Sequence, residues 1–185
     1  MEDSLLIAGS GGQGVLLLGR LIAAVAMLSG HYVTWFPSYG AEMRGGTANC
    51  TVVISSEMIG SPVVSHPNTF IIMNYPSLKK FSSRFQKGSL LIVDSSLISK
   101  ELTDGAEINK QLNALKLIAV PGASIASELG SVRYANMVLF GAYLKAKNLA
   151  SIEVAELALK KVLPERHHNK LSYNIQAIKR GWEFV

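Results

Sequence analysis

The chain has 185 residues, a hydrophobic fraction of 49%, a charged fraction of 17% and a net charge of +5. That length suits one domain, expected over residues 1–185, and that composition excludes a disordered chain. The basic residues are spread along the chain with no nucleic-acid signature beside them, so nucleic acid is not an expected partner.

In chain order, Ser4–Ala8 reads as a short buried strand, followed by the loop Gly9-Ser10-Gly11-Gly12-Gln13-Gly14. Val15–Ser29 then reads as an apolar helix that Gly30 stops, and His31–Phe36 as a strand rich in β-branched and aromatic residues. The helix carries Arg20 and is shorter than the roughly 20 residues that span a bilayer, so no membrane partner is expected. Pro37–Gly46 is a glycine-rich loop, and Thr47–Ile54 alternates polar and apolar residues like a half-exposed antiparallel strand. Strand and helix alternation resumes with Thr69–Asn74, a helix from Pro76 to about Gln86, Ser89–Asp94 and Leu117–Val120. Helices follow at Ala123–Leu129 with Arg133–Lys147, Ile152–Leu163 and about His168–Trp182, with Ser151 placed to cap the helix it precedes. The expected fold class is therefore α/β, a Rossmann-like, mostly parallel sheet with an antiparallel excursion and a helical C-terminal region.

Gly9-x-Gly11-x-x-Gly14 lies between a strand and a helix, where backbone N–H groups can face an anion. It lacks the lysine followed by Ser or Thr of a triphosphate loop. It also lacks an acid at the end of the second strand, where Phe36-Pro37-Ser38 stands, so a nicotinamide dinucleotide site is disfavoured. The glycines serve either ligand contact or only tight strand–helix packing, and the residues alone do not choose. Ser38, Tyr39, Glu42, Arg44 and Gly45 belong to a second glycine-rich loop, in which Arg44 has the fork to grip a phosphate or carboxylate. The bland alternative there is a surface Glu42–Arg44 pair. Asp94 is expected to cap the segment after its strand.

Cys50 falls on the apolar face of its strand and reads as a buried structural thiol. A chain with one cysteine cannot ligate an iron–sulfur cluster, which takes about four. His66, His167 and His168 have no metal-ligand spacing and read as surface or capping residues. The lysines and arginines around residues 79–87 read as a solvated helix face. No catalytic residue and no metal site is expected in this chain. Its start, Glu2-Asp3 running straight into the glycine loop, has no signal-peptide pattern, so a cytoplasmic location is expected.

The loop Gly9–Gly14 resembles the G-x-G-G-Q-G opening of gamma subunits of the 2-oxoacid:ferredoxin oxidoreductases. Ser38-Tyr39-Gly40-Ala41-Glu42-Met43-Arg44-Gly45-Gly46 resembles their S-Y-G-x-E-x-R-G-G loop. Glu128-Leu129-Gly130, Arg133, Asn136-Met137 and Gly141-Ala142 resemble their E-L-G-x-x-R-x-x-N-M helix. The resemblance implies a complex with an alpha subunit, a thiamine-diphosphate-binding beta subunit with its Mg, and a ferredoxin-like delta subunit with [4Fe–4S] clusters. Such a complex converts a 2-oxoacid and CoA to an acyl-CoA and passes electrons to ferredoxin. It further implies Gly11, Gly12, Gln13 and Arg44 as contacts for an anionic group such as that of CoA, within a site of Gly9, Gly14, Ser38 and Gly45. Tyr39, Glu42 and Asn136 would shape that site. The Glu42-Met43 loop resembles 2-oxoglutarate and branched-chain enzymes more than pyruvate enzymes.

Overall fold

A computed structural model describes residues 2–38, 47–98 and 112–185. Among these residues six strands form one sheet: β1 (Glu2–Ser10), β2 (Tyr32–Pro37), β3 (Thr47–Ser55), β4 (Thr69–Ile72), β5 (Leu90–Asp94) and β6 (Lys116–Val120), in the order β2-β3-β1-β4-β5-β6. β1, β4, β5 and β6 are mutually parallel, while β3 runs antiparallel to both of its neighbours.

The expected antiparallel excursion is the β2–β3 pair, and it is built into the sheet itself. β3 inserts between β1 and β2 and pairs with β1 along nine residues, from Glu2 opposite Ser55 to Ser10 opposite Thr47. The short return from β2 reverses the chain, and only an antiparallel pairing accommodates that. A strand flanked on both edges also buries more than its alternation predicts. Ala48, Cys50, Val52 and Ile54 are buried on one face, and Val53 and Ser55 are buried on the other.

Two apolar layers sandwich the sheet. One face packs Leu5, Ile7, Cys50, Val52 and Ile92 against α1 (Val15–Leu28), α3 (Gly122–Glu128), α4 (Ala135–Lys147), α5 (Ile152–Val162) and α6 (Leu171–Phe184). The other packs Leu6, Ala8, Phe70 and Ile72 against Leu78 and Phe81 of α2 (Tyr75–Phe81), with Ile98 and Leu112. α2 is shorter than predicted. It gives way to a 3-10 turn at Ser82–Arg84, whose Arg84 Nε donates to the Ser65 carbonyl at 2.9 Å while Nη2 bonds that of Val64. Arg84 is thus a tie to the preceding turn, not part of a solvated face. A 3-10 turn, Glu165–Lys170, likewise precedes α6, and the His168 ring meets the Leu163 carbonyl at 3.0 Å, a cap on α5. Ser151 stands at the N-cap of α5, but its side chain caps no backbone N–H. Its hydroxyl bonds Glu153 instead, the main cause that holds that carboxyl below its usual range.

α4 and α6 cross at two glycines. A Cβ at Gly141 would strike the Ile178 carbonyl oxygen, and one at Gly181 the Val138 carbonyl oxygen. Small residues are required there because the backbones touch. At the amino-terminal edge of the sheet Asp3, 4% exposed, accepts from Thr69 Oγ1 at 2.8 Å and Tyr143 OH at 2.9 Å, and pairs with Lys147 Nζ at 2.9 Å. One carboxylate so ties β1, β4 and α4. Burial first, and then the Asp3 charge, pushes the Tyr143 hydroxyl well above its ordinary pKa. No helix among the described residues is long and apolar enough to cross a membrane.

Candidate functional site

The chain leaves β1 for β2 and β3 on one side and returns to β4 on the other. The crevice at the carboxyl ends of β1 and β4 is thus the switch point where open α/β sheets take ligands. A cleft of about 260 Å³ opens there. Gly12 and Gln13 line it from the loop after β1, Met73 from the end of β4, and Asp94 and Leu97 from the end of β5. Ala123 of α3 closes one side, and Val132, Arg133 and Ala135 ahead of α4 close the other. The walls are mainly apolar.

The glycine loop divides its work. A Cβ at Gly9 would lie 2.7 Å from Gln13 Oε1 and 3.0 Å from the Met73 Cβ, so Gly9 serves close packing. Gly14, the N-cap of α1, has φ 77° and lies against the Asn136 amide, whose Nδ2 donates to the Gly14 carbonyl at 3.4 Å. Gly12, with φ 90° and open space around it, is the loop glycine that faces the cleft.

Gln13, expected to contact a ligand, is occupied by the protein itself. Its Oε1 accepts from Ser10 N–H at 2.6 Å and from Asn74 Nδ2 at 3.1 Å, and its Nε2 donates to the Met73 carbonyl at 3.4 Å. Asn74 Nδ2 also reaches Ser10 Oγ at 2.6 Å, and its Oδ1 caps α2 through Ser77 N–H at 3.0 Å. Asn74 is the residue that sequence reasoning missed. Its signal was an Asn two residues before Pro76, the pattern of a helix start.

Asp94 is 1% exposed, and its Oδ1 accepts from Ser96 N–H at 3.1 Å and Ala123 N–H at 3.2 Å. It caps both following segments, as its position at the strand end predicts. Burial raises its carboxyl pKa, and these hydrogen bonds oppose the rise.

Asn136 is 3% exposed beside Gly14, and its Oδ1 is buried without a partner among the described residues. Ser38 lies elsewhere. Its N–H continues the β2–β3 ladder to the Asn49 carbonyl at 3.0 Å, two strands from β1, and it does not line the cleft. Tyr39, Glu42, Arg44 and Gly45 lie outside the described residues. The structure therefore brings together Gly12, Gln13, Gly14 and Asn136 with Met73, Asp94 and Arg133. No group of His, Cys, Asp or Glu among the described residues has the arrangement to hold a metal ion.

Residues 4–184 match the model of one family, described as pyruvate ferredoxin/flavodoxin oxidoreductase. Over 135 residues, 73% of the chain, it is 41% identical to the ketoisovalerate oxidoreductase subunit VorA of Methanothermobacter marburgensis, but it spans only about a quarter (26%) of that protein. It is 35% identical over 188 residues to the 2-oxoglutarate synthase subunit KorC of the same organism, covering 100% of this chain and 97% of KorC. Among solved structures it superposes with a TM-score of 0.83 and 23% identity on a 2-oxoglutarate:ferredoxin oxidoreductase from Magnetococcus marinus with 2-oxoglutarate, coenzyme A and succinyl-CoA bound. That match covers 99% of this chain and 31% of the other, and it attests the shared fold. With one model spanning the sheet, the glycine loop and the last helix, and with a relative matched end to end, the chain belongs to the pyruvate ferredoxin/flavodoxin oxidoreductase family.

Proposed function

We propose that this chain is the gamma-type subunit of a 2-oxoacid:ferredoxin oxidoreductase, and that its cleft forms one wall of the channel through which CoA reaches the reaction centre. The complex would convert a 2-oxoacid and CoA to an acyl-CoA and carbon dioxide, with the electrons passing to ferredoxin. Residues 1–185 act as one domain, in the cytoplasm, alongside alpha, thiamine-binding beta and ferredoxin-like delta subunits. A single buried cysteine does not fit cluster ligation, and the described residues offer no carboxylate set for a thiamine-bound metal. Both groups are assigned to the partner chains, and no chemical step is assigned to this one.

The observation that carries the ligand reading is the cleft itself: apolar, at the switch point, and beside the N-terminus of a 14-residue helix. Apolar walls with a few polar groups suit a long, thin ligand that ends in phosphates. Within the loop, Gly12 is the contact residue, while Gln13 and Asn136 hold the loop in shape. That support role for Gln13 also favours a second reading, in which the subunit is structural and touches no ligand. A free-standing dinucleotide enzyme is the remaining alternative, against which the missing ribose acid counts.

2-Oxoglutarate is the favoured substrate because the KorC match runs the whole length of both chains. The higher identity to VorA keeps a branched-chain 2-oxoacid as the second choice. Co-expression with the neighbouring open reading frames, followed by 2-oxoacid- and CoA-dependent dye reduction, tests the assembly and names the acid. Hydrogen exchange on the purified complex tests the channel. CoA is expected to protect residues 9–14 and 132–136; activity without such protection would leave only the structural reading.

A further inference from the structure

Arg133 stands at the cleft with no hydrogen bond or ion pair from its guanidinium to any described residue. Among the described residues it is the only cation in the cleft lining. Asp94, the only acid among the described lining residues, is engaged by two backbone N–H groups and does not reach it. The base of Arg133 is fixed, because Ser131 Oγ accepts from its backbone N–H at 3.3 Å and caps the 3-10 turn Val132–Tyr134. Val132, 60% exposed, and Leu97, 45% exposed, flank the same opening. Two bare aliphatic side chains and one guanidinium without a partner among the described residues, at the mouth of an apolar cleft, describe a site for an amphipathic anion.

We propose that Arg133 is the anion anchor of this cleft and binds a phosphate of the CoA nucleotide while the apolar walls take the uncharged arm. This rests on the channel reading above. Guanidinium and phosphate match through two parallel N–H···O bonds, and the aliphatic surroundings exclude part of the competing water. The nearby start of α1 adds a weak attraction of the same sign. A carboxylate of the 2-oxoacid would satisfy the guanidinium equally well, so the test separates the two anions.

The experiment uses the intact complex carrying Arg133→Met, which keeps the apolar stem, and Arg133→Lys as the conservative variant. KM and kcat are measured for CoA, for dephospho-CoA and for pantetheine, and KM is measured for the 2-oxoacid. Arg133→Met is expected to raise KM for CoA about 10- to 100-fold, as loss of a charge-assisted contact does, with kcat within about twofold. Lysine should recover part of that loss, and KM for pantetheine, which has no nucleotide phosphate, should not move. Dephospho-CoA then identifies the phosphate. If Arg133→Met alters its KM as strongly as that for CoA, the diphosphate is the partner; if not, it is the ribose phosphate. An unchanged KM for CoA, an equal rise with pantetheine, or a rise confined to the 2-oxoacid overturns the assignment. The wild-type exchange experiment separates the levels. Protection by CoA with an unchanged KM in Arg133→Met sinks the anchor alone, whereas no protection sinks the channel reading and the anchor with it.

Discussion

At the scale of single residues, the site edge is held by amides packed on glycines. Gly14 needs both a left-handed backbone and the absence of a side chain, because Asn136 occupies the space a Cβ would take. Gly14→Ala should therefore lower stability by about 2–3 kcal/mol, above the roughly 1 kcal/mol of a left-handed alanine alone, read as the urea midpoint of the purified chain. Asp3 is the corresponding hub at the opposite edge. Asp3→Ala strips the acceptor from Tyr143 and Thr69 and leaves Lys147 unpaired, so a loss of about 3–5 kcal/mol is expected. Tyr143→Phe, which removes one donor, should cost about 1–2 kcal/mol. Neither hub could be read from the sequence. Asp3 looked like a terminal acid, and Gln13 like a ligand contact, because their partners, Ser10 apart, lie from about 60 to 144 positions away. The strand–loop–helix turn around the glycines, by contrast, was legible because it is a local feature.

Elements were legible where periodicity is local, and less so where pairing is not. The alternation of Thr47–Ile54 announced an antiparallel strand, yet not its insertion beside β1, which depends on nine pairings with a strand about 40 residues away. α4 and α6 were both expected as helices, but nothing in their spacing revealed that their backbones meet at Gly141 and Gly181. Adding one methyl at either glycine drives it into a carbonyl oxygen. Gly181→Ala should cost about 3 kcal/mol or more in thermal unfolding, whereas Ala142→Gly next to the crossing should cost only about 1 kcal/mol beyond its lost packing. Equal losses at the two positions would mean that the helices part without difficulty. Arg84 shows the same limit: a basic helix face was legible, and its fold-back onto residues 64–65 was not.

For the whole molecule, composition sets a low charged fraction of 17%, and the apolar side chains of Tyr32, Phe36, Met58 and Val63 stand exposed. Composition also places one thiol in the chain, and the fold seals it. Cys50 is fully buried beneath α1, where its Sγ lies 3.7 Å from the Val15 carbonyl, and burial pushes its pKa up to about 12 despite the Trp35 N–H. A folded-state pKa above the unfolded value of 9.0 means that the folded chain keeps a proton the unfolded chain loses. The contribution is complete below pH 9 and fades as pH rises toward 12, at about 1.4 kcal/mol per pH unit. Tyr143 acts in the same direction from above its ordinary value of 10.0. Urea midpoints should fall as pH rises from about 8 to 11, and Cys50→Ala should flatten the part of the slope that begins near pH 9. The same burial makes the chain its own clock. At pH 8 the buried thiol stays protonated in the folded chain, and its burial shields it from reagents. Modification of the thiol thus counts excursions in which the helix–sheet corner around Cys50 comes apart, with no engineered label. Comparing that rate for the free chain and for the chain inside its assembly gives the free energy that assembly lends to this corner.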